Sequence, residues 1–363
     1  PHAEGTAADP KSITPYRNHQ HTARLNYTLL TDKHTVSLGA EMSNDYLKHY
    51  MLKDSGAVSG TQWSVYGQEE WHILPQLNLV AGVRLDKPWR YDVHLTPKVS
   101  LLYRPLDNLT LRANYSHGYR PPTLKEVYQD FNMMNVMHVV GNPNLRPETS
   151  EQISFSAEYE WNRLNLSASV FHNRYRYYIG YETVSADTIR YANFDDRKTT
   201  GVEVSARYTT TYGLHVRATY NYIKDYQLSN GHGSFSEYYN TSDVRPHSLT
   251  FGAAYHYVVS KSLTATADFN GHWGCAFSQY DYRLLRNSQT GVELPVMYRY
   301  RFDARTFCSL NLGVQLPKRG ITVGLLIDNL FDYRDRAATA SVQLPDVGRT
   351  FVGTIKIDVD KLF

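Results

Sequence analysis

The sequence predicts an all-β fold, a transmembrane antiparallel β-barrel. Three observations predict it. Apolar and polar residues alternate with period two along stretches longer than ten residues. The connections between these stretches are short and long in turn. The apolar faces end in tyrosine and tryptophan, although the mean hydropathy is −0.49. Strands of soluble sandwiches usually run about five or six residues, whereas crossing a bilayer as a tilted strand takes about 9–11. The low hydropathy follows, because half of every such strand faces a polar lumen.

Composition narrows the classes further. Of 363 residues, 42% are hydrophobic and 20% charged, with 30 Tyr against 13 Phe. That is too aromatic for a disordered chain. No apolar run approaches the roughly 18 residues of a membrane helix. A net charge of +3 does not suggest nucleic acid, and two cysteines make neither a disulfide framework nor a thiolate zinc site. The chain opens at Pro1 without a charged start and apolar stretch, so it is expected to be a mature product or a fragment.

The elements follow in order. A first strand is expected near Thr22–Leu30, and a later one at Leu109–Gly118. Val202, Val204, Ala206 and Tyr208 then alternate with Glu203, Ser205 and Arg207. Leu214, Val216, Ala218 and Tyr220 do the same with His215, Arg217 and Thr219. One long strand reads Leu263 to Phe277, and the next carries Tyr298, Tyr300, Phe302, Cys308, Leu310 and Leu312 on one face. A last strand runs from about Thr350 to Asp360. Trp161, Tyr208, Tyr222 and Tyr257 stand at the ends of apolar faces, where an amphipathic ring suits the lipid–water boundary.

Tight turns are expected at Thr31–His34, Leu74–Gln76, Pro105–Asn108, Asn162–Arg163, Thr211–Gly213, Val259–Lys261 and Pro317–Gly320. Long connections lie near 53–60, 87–94, 119–150, 181–197, 227–245, 281–296 and 330–347. The long loops belong outside the cell. The tally is about fifteen strands, against an even number with both termini inside for single-chain bacterial barrels. Residues 1–21 are therefore expected to be the remnant of an extracellular loop, and 22–363 the C-terminal portion of a larger barrel. One further strand would instead give a closed porin of about sixteen.

The most distinctive connection, 119–150, reads YRPPTLKEVYQDFNMMNVMHVVGNPNLRPETS. Here the chain resembles the TonB-dependent outer-membrane receptors. The resemblance rests on "NYSHGYRPPTLKEVY", "GNPNLRPETSEQISFSAEY", "TTGVEVSARY", "VRPHSLTFGAAY", "IDNLFDYRD" and "GRTFVGTIKI", in that order from about residue 60 to the end. It implies a barrel of about 22 strands around an N-terminal plug. This chain would be the C-terminal ~15 strands, without the plug. It further implies bacterial outer-membrane localisation, uptake driven by a TonB-type energy-coupling protein, and no enzymatic step. The plug and N-terminal barrel segment would come from elsewhere, and a surface lipoprotein could hand over the ligand.

Within that family, an aromatic-Arg-Ala-Pro box and an Asn-Pro-Asn-Leu box with a histidine between them resemble haem receptors. Here the boxes are Tyr119-Arg120-Pro121-Pro122, with Pro in place of Ala, and Asn142-Pro143-Asn144-Leu145, with His138 between them. Ferric haem iron accepts an imidazole as axial ligand, which makes His138 the candidate ligand. Met133, Met134, Met137, Val136, Val139 and Val140 are its expected apolar cover. Haem propionates pair with arginine, for which Arg120 and Arg146 are candidates beside Tyr119. His138 as an ordinary loop histidine stays open, as do structural roles for both boxes. So do cobalamin or a ferric siderophore as ligand, a passive porin, and a barrel enzyme. For the enzyme no G-x-S-x-G, H-E-x-x-H or P-loop motif speaks. Arg84, Arg112, Arg207, Arg217, Arg299, Arg301 and Arg305 are expected on the lumen wall as partners for plug carboxylates, with guidance of an anionic substrate as the alternative, and Cys275 and Cys308 are expected as free thiols.

Overall fold

The computed structural model describes residues 16–53, 56–133, 136–185, 187–194, 197–228, 238–239, 244–286, 291, 293–334 and 347–361. Its elements, in chain order, begin with β1 (Arg17–Leu30), β2 (His34–Lys48), β3 (Ala57–Leu74), β4 (Leu77–Lys87), β5 (His94–Leu106) and β6 (Leu109–Arg120). A five-residue helix α1 (Leu124–Tyr128) and the short strands β7 (Asp130–Met133) and β8 (Met137–Val140) follow. Then come β9 (Glu148–Trp161), β10 (Leu164–Arg176), β11 (Tyr178–Ser185), β12 (Thr188–Phe194), β13 (Arg197–Thr209) and β14 (Leu214–Leu228). The chain continues through β15 (Tyr238–Tyr239), β16 (His247–Ser260), β17 (Leu263–Gly274), β18 (Phe277–Arg286) and β19 (Glu293–Phe302). It ends with β20 (Arg305–Leu316), β21 (Ile321–Asp328) and β22 (Thr350–Ile357).

Fifteen of these strands form one antiparallel wall, in the order β1-β2-β3-β4-β5-β6-β9-β10-β13-β14-β16-β17-β20-β21-β22, with β15 pairing β14 to one side. The number matches the alternation tally. Alternate neighbours along the wall, such as β1–β2, β9–β10 and β13–β14, are joined by the tight turns that the sequence predicts, with Asn162 (φ 52°) and Gly213 (φ 88°) taking the left-handed conformation inside two of them. Among the described residues the path does not return from β22 to β1, so the closed sixteen-stranded alternative is not what forms. β1 itself begins earlier than expected. Arg17 to His21 pair with Lys48 to Asn44 and so belong to the strand, while residues 1–15 of the expected loop remnant lie outside the described residues.

Register shows which way each side chain faces. Val170 stands opposite Phe155 and Val202, and Val204 opposite Tyr220, on one face. Ser169 opposes Ser156 and Glu203 on the other. The apolar face is outward and unburied: Phe155 is 56% exposed and Trp161 59%, values that only a lipid covering makes tolerable. The polar face is cross-linked. Ser100 Oγ donates to Asn114 Oδ1 at 2.5 Å, and Asn114 Nδ2 donates to Ser154 Oγ at 3.2 Å, joining β5, β6 and β9. A charge ladder joins β1 to β4. Arg24 meets Glu41 at 2.5 Å, and Glu41 meets Arg84 at 3.1 Å. Arg84 in turn meets Asp86 at 2.9 Å, which also accepts from Ser64 and Gln62. Arg112 pairs with Glu158 at 3.1 Å. Arg84 and Arg112 therefore have carboxylate partners within the wall, where the sequence reading sought them in a plug, and Arg217 donates from Nη2 to Asn270 Oδ1.

Two expected long strands are each interrupted. The run Leu263–Phe277 breaks after Gly274, and Tyr298–Val314 breaks at Asp303, separating the β18–β19 ribbon from the β17–β20 pair. The cause is Arg245, which donates from Nη1 to the carbonyls of both Cys275 (2.5 Å) and Asp303 (2.6 Å), replacing the ladder there. The last strand likewise stops at Ile357 and gives way to a short 3-10 turn. Cys275 and Cys308 are both free thiols; Gly271, not Cys275, lies opposite Cys308. Among the described residues a cluster of buried apolar side chains, Leu47, Leu52 and Leu124 with Val58, Trp89 and Tyr128 against them, sits at the long-loop end.

Alternation makes the two faces unequal in what they tolerate. Val202→Lys, outward, should lower folding free energy in lipid vesicles by about 2–4 kcal/mol. Ser205→Lys, toward the lumen three residues on, should cost below about 1 kcal/mol. Urea-driven unfolding of the vesicle-embedded chain measures both, and equal costs would contradict the assignment of faces.

Candidate functional site

The two Pro- and Asn-rich boxes build one assembly at the long-loop end. Pro121 and Pro122 stop β6, since proline removes a ladder donor. Thr123 then caps α1: its hydroxyl accepts from Glu126 N, and Glu126 Oε2 accepts from Thr123 N at 2.7 Å, a capping box. The same Glu126 carboxylate, with Glu148 at the start of β9, receives Arg120. Arg120 donates to Glu148 from Nε (2.7 Å) and Nη2 (2.8 Å), and to both Glu126 oxygens from Nη1 at 3.1 and 3.0 Å. Its fork is thus filled by two carboxylates and clamps β6, α1 and β9 together. Glu148 Oε1 also accepts from Ile179 N at 2.6 Å, tying in the next loop.

The second box rivets that loop. Asn142 Nδ2 donates to Tyr191 O at 2.9 Å, and Asn142 Oδ1 accepts from Asn144 N at 2.9 Å in an Asx turn. Leu145 is buried beneath. Asn193 Oδ1 accepts from Arg146 N at 2.7 Å, while Asn193 Nδ2 donates to Arg146 O and Tyr177 O. Gly141 lets the chain pass so close to Val127 and Gln129 that a Cβ would lie 2.7–2.8 Å from their backbone atoms.

Between the rivets lies a four-stranded sheet, β11-β12-β8-β7, drawn from two different connections. β12 and β8 run parallel, with Thr188 opposite His138 and Ile189 opposite Val139. β7 and β8 are antiparallel, with Asn132 opposite His138. Alternation separates its two faces. His138, Asp130, Asn132, Thr188, Arg190 and Glu182 share one, and the last two are paired at 2.5 Å. Phe131, Met133, Met137, Val139 and Ile189 share the other. The apolar cover expected around His138 is therefore largely on the far side of the sheet. Neighbours along a strand point to opposite faces, which a reading of 119–150 as unstructured loop did not apply. Met134 lies outside the described residues.

His138 has Nε2 2.7 Å from Asp130 Oδ1, and its backbone N donates to Asp187 O at 2.6 Å. Across the apolar face, Tyr181 and Tyr191 are cross-strand neighbours with hydroxyls 2.7 Å apart. Burial, with the Tyr181 hydrogen bond, raises the Tyr191 phenol above its ordinary pKa, so it keeps its proton. At the turn, Asp187 is held below the usual carboxylate range by the hydroxyls of Ser185 and Thr188.

The remaining expected residues are placed as follows. Tyr119 lies with its ring stacked on His94 (4.1 Å between centroids) and its hydroxyl buried without a partner among the described residues. Arg146 is exposed, with its guanidinium over the Tyr177 ring at 5.4 Å. Of the two arginines considered for propionates, Arg146 is open and Arg120 is engaged. Sequence reasoning missed Asp130, Glu126, Glu148, Tyr191 and Asn193, while Tyr181 belongs to the tyrosine-rich stretch Tyr175–Tyr181 that the sequence offers for stacking on a flat ligand. Only the Thr123-x-x-Glu126 capping spacing offered a signal in advance.

Comparison with known proteins gives a consistent picture. The family model "TonB dependent receptor-like, beta-barrel" matches residues 5–330. The "Iron-regulated outer membrane virulence protein" of Vibrio cholerae serotype O1 is 29% identical over 220 residues, 54% of this chain and 33% of that protein. The "Probable hemoglobin and hemoglobin-haptoglobin-binding protein 4" of Haemophilus influenzae is 24% identical over 297 residues, 76% of this chain and 28% of its own length. Among solved structures, the siderophore receptor PirA from Acinetobacter baumannii superposes with a TM-score of 0.70 at 16% identity, covering 94% of this chain and 54% of that one. The chain thus spans about a third of these curated relatives and about half of the solved barrel.

If the rivets hold the two loops as one body, Asn142→Ala should cost that body about 1–3 kcal/mol, since its partners Tyr191 O and Asn144 N are left unpaired. Amide exchange should accelerate in β8 and β12 and stay unchanged in β13 and β14. Uniform acceleration would show instead that the loops are not a separate unit.

Proposed function

Since the chain belongs to the family of TonB-dependent receptors, whose barrels sit in the bacterial outer membrane and work as receptors and transporters, not enzymes, we propose that it forms most of the wall of an uptake receptor for a ferric chelate, with haem as the cargo. Support for haem comes foremost from the Asp130–His138 pair. A histidine that ligates a metal hands its other ring N–H to a carboxylate in just this way, which orients the ring and raises its basicity. With Nε2 taken by Asp130, Nδ1 is the donor left for an axial bond to ferric iron. Arg146 is the proposed partner for a propionate, and Tyr119 and Arg120 hold the loops in place. Names of several relatives favour the same cargo, including "Heme/hemopexin utilization protein C" of Haemophilus influenzae.

Transport would follow the family's logic. The loops capture the ligand, the polar lumen conducts it, and a TonB-type energy-coupling protein supplies the work. A plug and the N-terminal barrel segment, beyond residues 17–361, would complete the device, and a surface lipoprotein could deliver the cargo. A second reading is a ferric siderophore or cobalamin. It is favoured by Met133, Met137 and Val139 facing away from His138, and by relatives named "Ferric enterobactin receptor" and "Vitamin B12 transporter BtuB".

Titration of the purified chain with haemin decides between them. A Soret shift that is lost in both His138→Ala and Asp130→Ala, with the fold intact by circular dichroism, is the expected outcome. A spectrum equal to that of free haemin in the wild-type chain would overturn the haem reading, and ferric catecholate or cobalamin would be tried next.

A further inference from the structure

One row of side chains on the lumen face carries a charge without an answer. Register sets Ser37, Gln68, Gly82, Lys98, Ser116 and Gln152 opposite one another across β2, β3, β4, β5, β6 and β9. Lys98 is the cation of that row, and no carboxylate stands in it. The next row toward the long loops is different. There Arg84, between Tyr66 and Thr96, meets both Glu41 and Asp86. Lys98 has no ion pair and no side-chain hydrogen bond among the described residues, and the same holds for the side chains of Gln68 and Ser116.

Space lies beside this lysine. A Cβ at position 82 would come 2.9 Å from Lys98 Cε and 3.3 Å from Gly67 O, so the lysine stem lies across bare backbone of β4. Next to it opens a cavity of about 300 Å³ that Gln68, Arg84, Lys98, Ser116 and His117 help to line. His117 is engaged at its edge, with Nε2 3.1 Å from His94 Nε2. The Arg84 charge is already met. What the cavity offers is therefore one ammonium with three donors, flanked by a half-buried amide and a half-buried hydroxyl that are both unengaged.

We propose that this cavity is a transit subsite for a single carboxylate group of the cargo on its way through the lumen. Charge selects the class. One uncompensated ammonium matches one negative charge, whereas a phosphate dianion would be left half neutralised. A site on a transport route must release what it binds, and an exposed lysine among neutral donors holds a carboxylate only weakly. The inference rests on the chain being an uptake receptor, and it does not require haem as the cargo.

The test reads Lys98 directly. The whole chain in neutral detergent is acetylated under limiting reagent, and peptide mapping by mass spectrometry gives the rate at each lysine. Sodium benzoate is the probe. It should slow acetylation of Lys98 about fivefold, and leave Lys318, exposed at a tight turn, unaffected. Sodium chloride at equal ionic strength and methyl benzoate should protect neither lysine. In Gln68→Ala/Ser116→Ala the protection of Lys98 should shrink. No slowing at Lys98, equal slowing at Lys318, or equal protection by chloride would overturn the proposal. Stronger protection by inorganic phosphate than by benzoate would also overturn it, by making the site one for phosphate. So would a Lys98 that is unreactive in the receptor with its plug seated and indifferent to benzoate there, since a protein carboxylate would then fill the cavity. No haem enters these measurements, so their outcome is separate from that of the haemin titration.

Discussion

Hydrocarbon offers a peptide group no hydrogen-bond partner, and the rest of this structure follows from that constraint. A strand in the membrane must pair on both sides or lose several kcal/mol for each bare amide. Fifteen strands in a continuous antiparallel order are the result. Once the ladders are made, the alternation of side chains leaves one face for lipid and one for water. The buried core usual in soluble domains then becomes unnecessary over most of the wall. What little core exists, around Leu47, Leu52 and Leu124, lies where the wall emerges and loops must pack on one another.

The polar side obeys a second constraint. Charges on the lumen wall are partly desolvated by their neighbours and need compensation. The Arg24–Glu41–Arg84–Asp86 ladder, the Arg112–Glu158 pair and Arg197–Asp225 meet that need within the wall.

At the long-loop end, short polar side chains substitute for a hydrophobic core. Arg120, Asn142 and Asn193 together engage carboxylates of α1 and β9, a backbone carbonyl of β12, and the backbone at Arg146 and Tyr177. The two boxes serve, in space, as joints between loops. The boxes hold the loop sheet, and the sheet holds His138. Tyr119 and Arg120 are the clearest cases, one stacked on His94 and the other enclosed by two carboxylates.

Period-two alternation, turn chemistry and aromatic ends determined the architecture from the sequence alone: fifteen wall strands, their directions, and which residues face lipid. These properties are local, since a strand's neighbours in the chain decide its two faces and a tight turn decides its partner. The family was legible for the same reason, through contiguous motifs. Tertiary structure alone decided what the long connections do. The pairing of β8 with β12 joins residues about fifty positions apart in two loops, and no local pattern announces a parallel contact made by two short strands. The antiparallel pairing of β7 with β8 set His138 beside Asp130 on one face and Met133 and Met137 on the other, undoing the expected apolar cover. The break at Cys275 was equally hidden, because the group that causes it, Arg245, lies thirty residues away in the chain and reaches the strand only once the wall is folded.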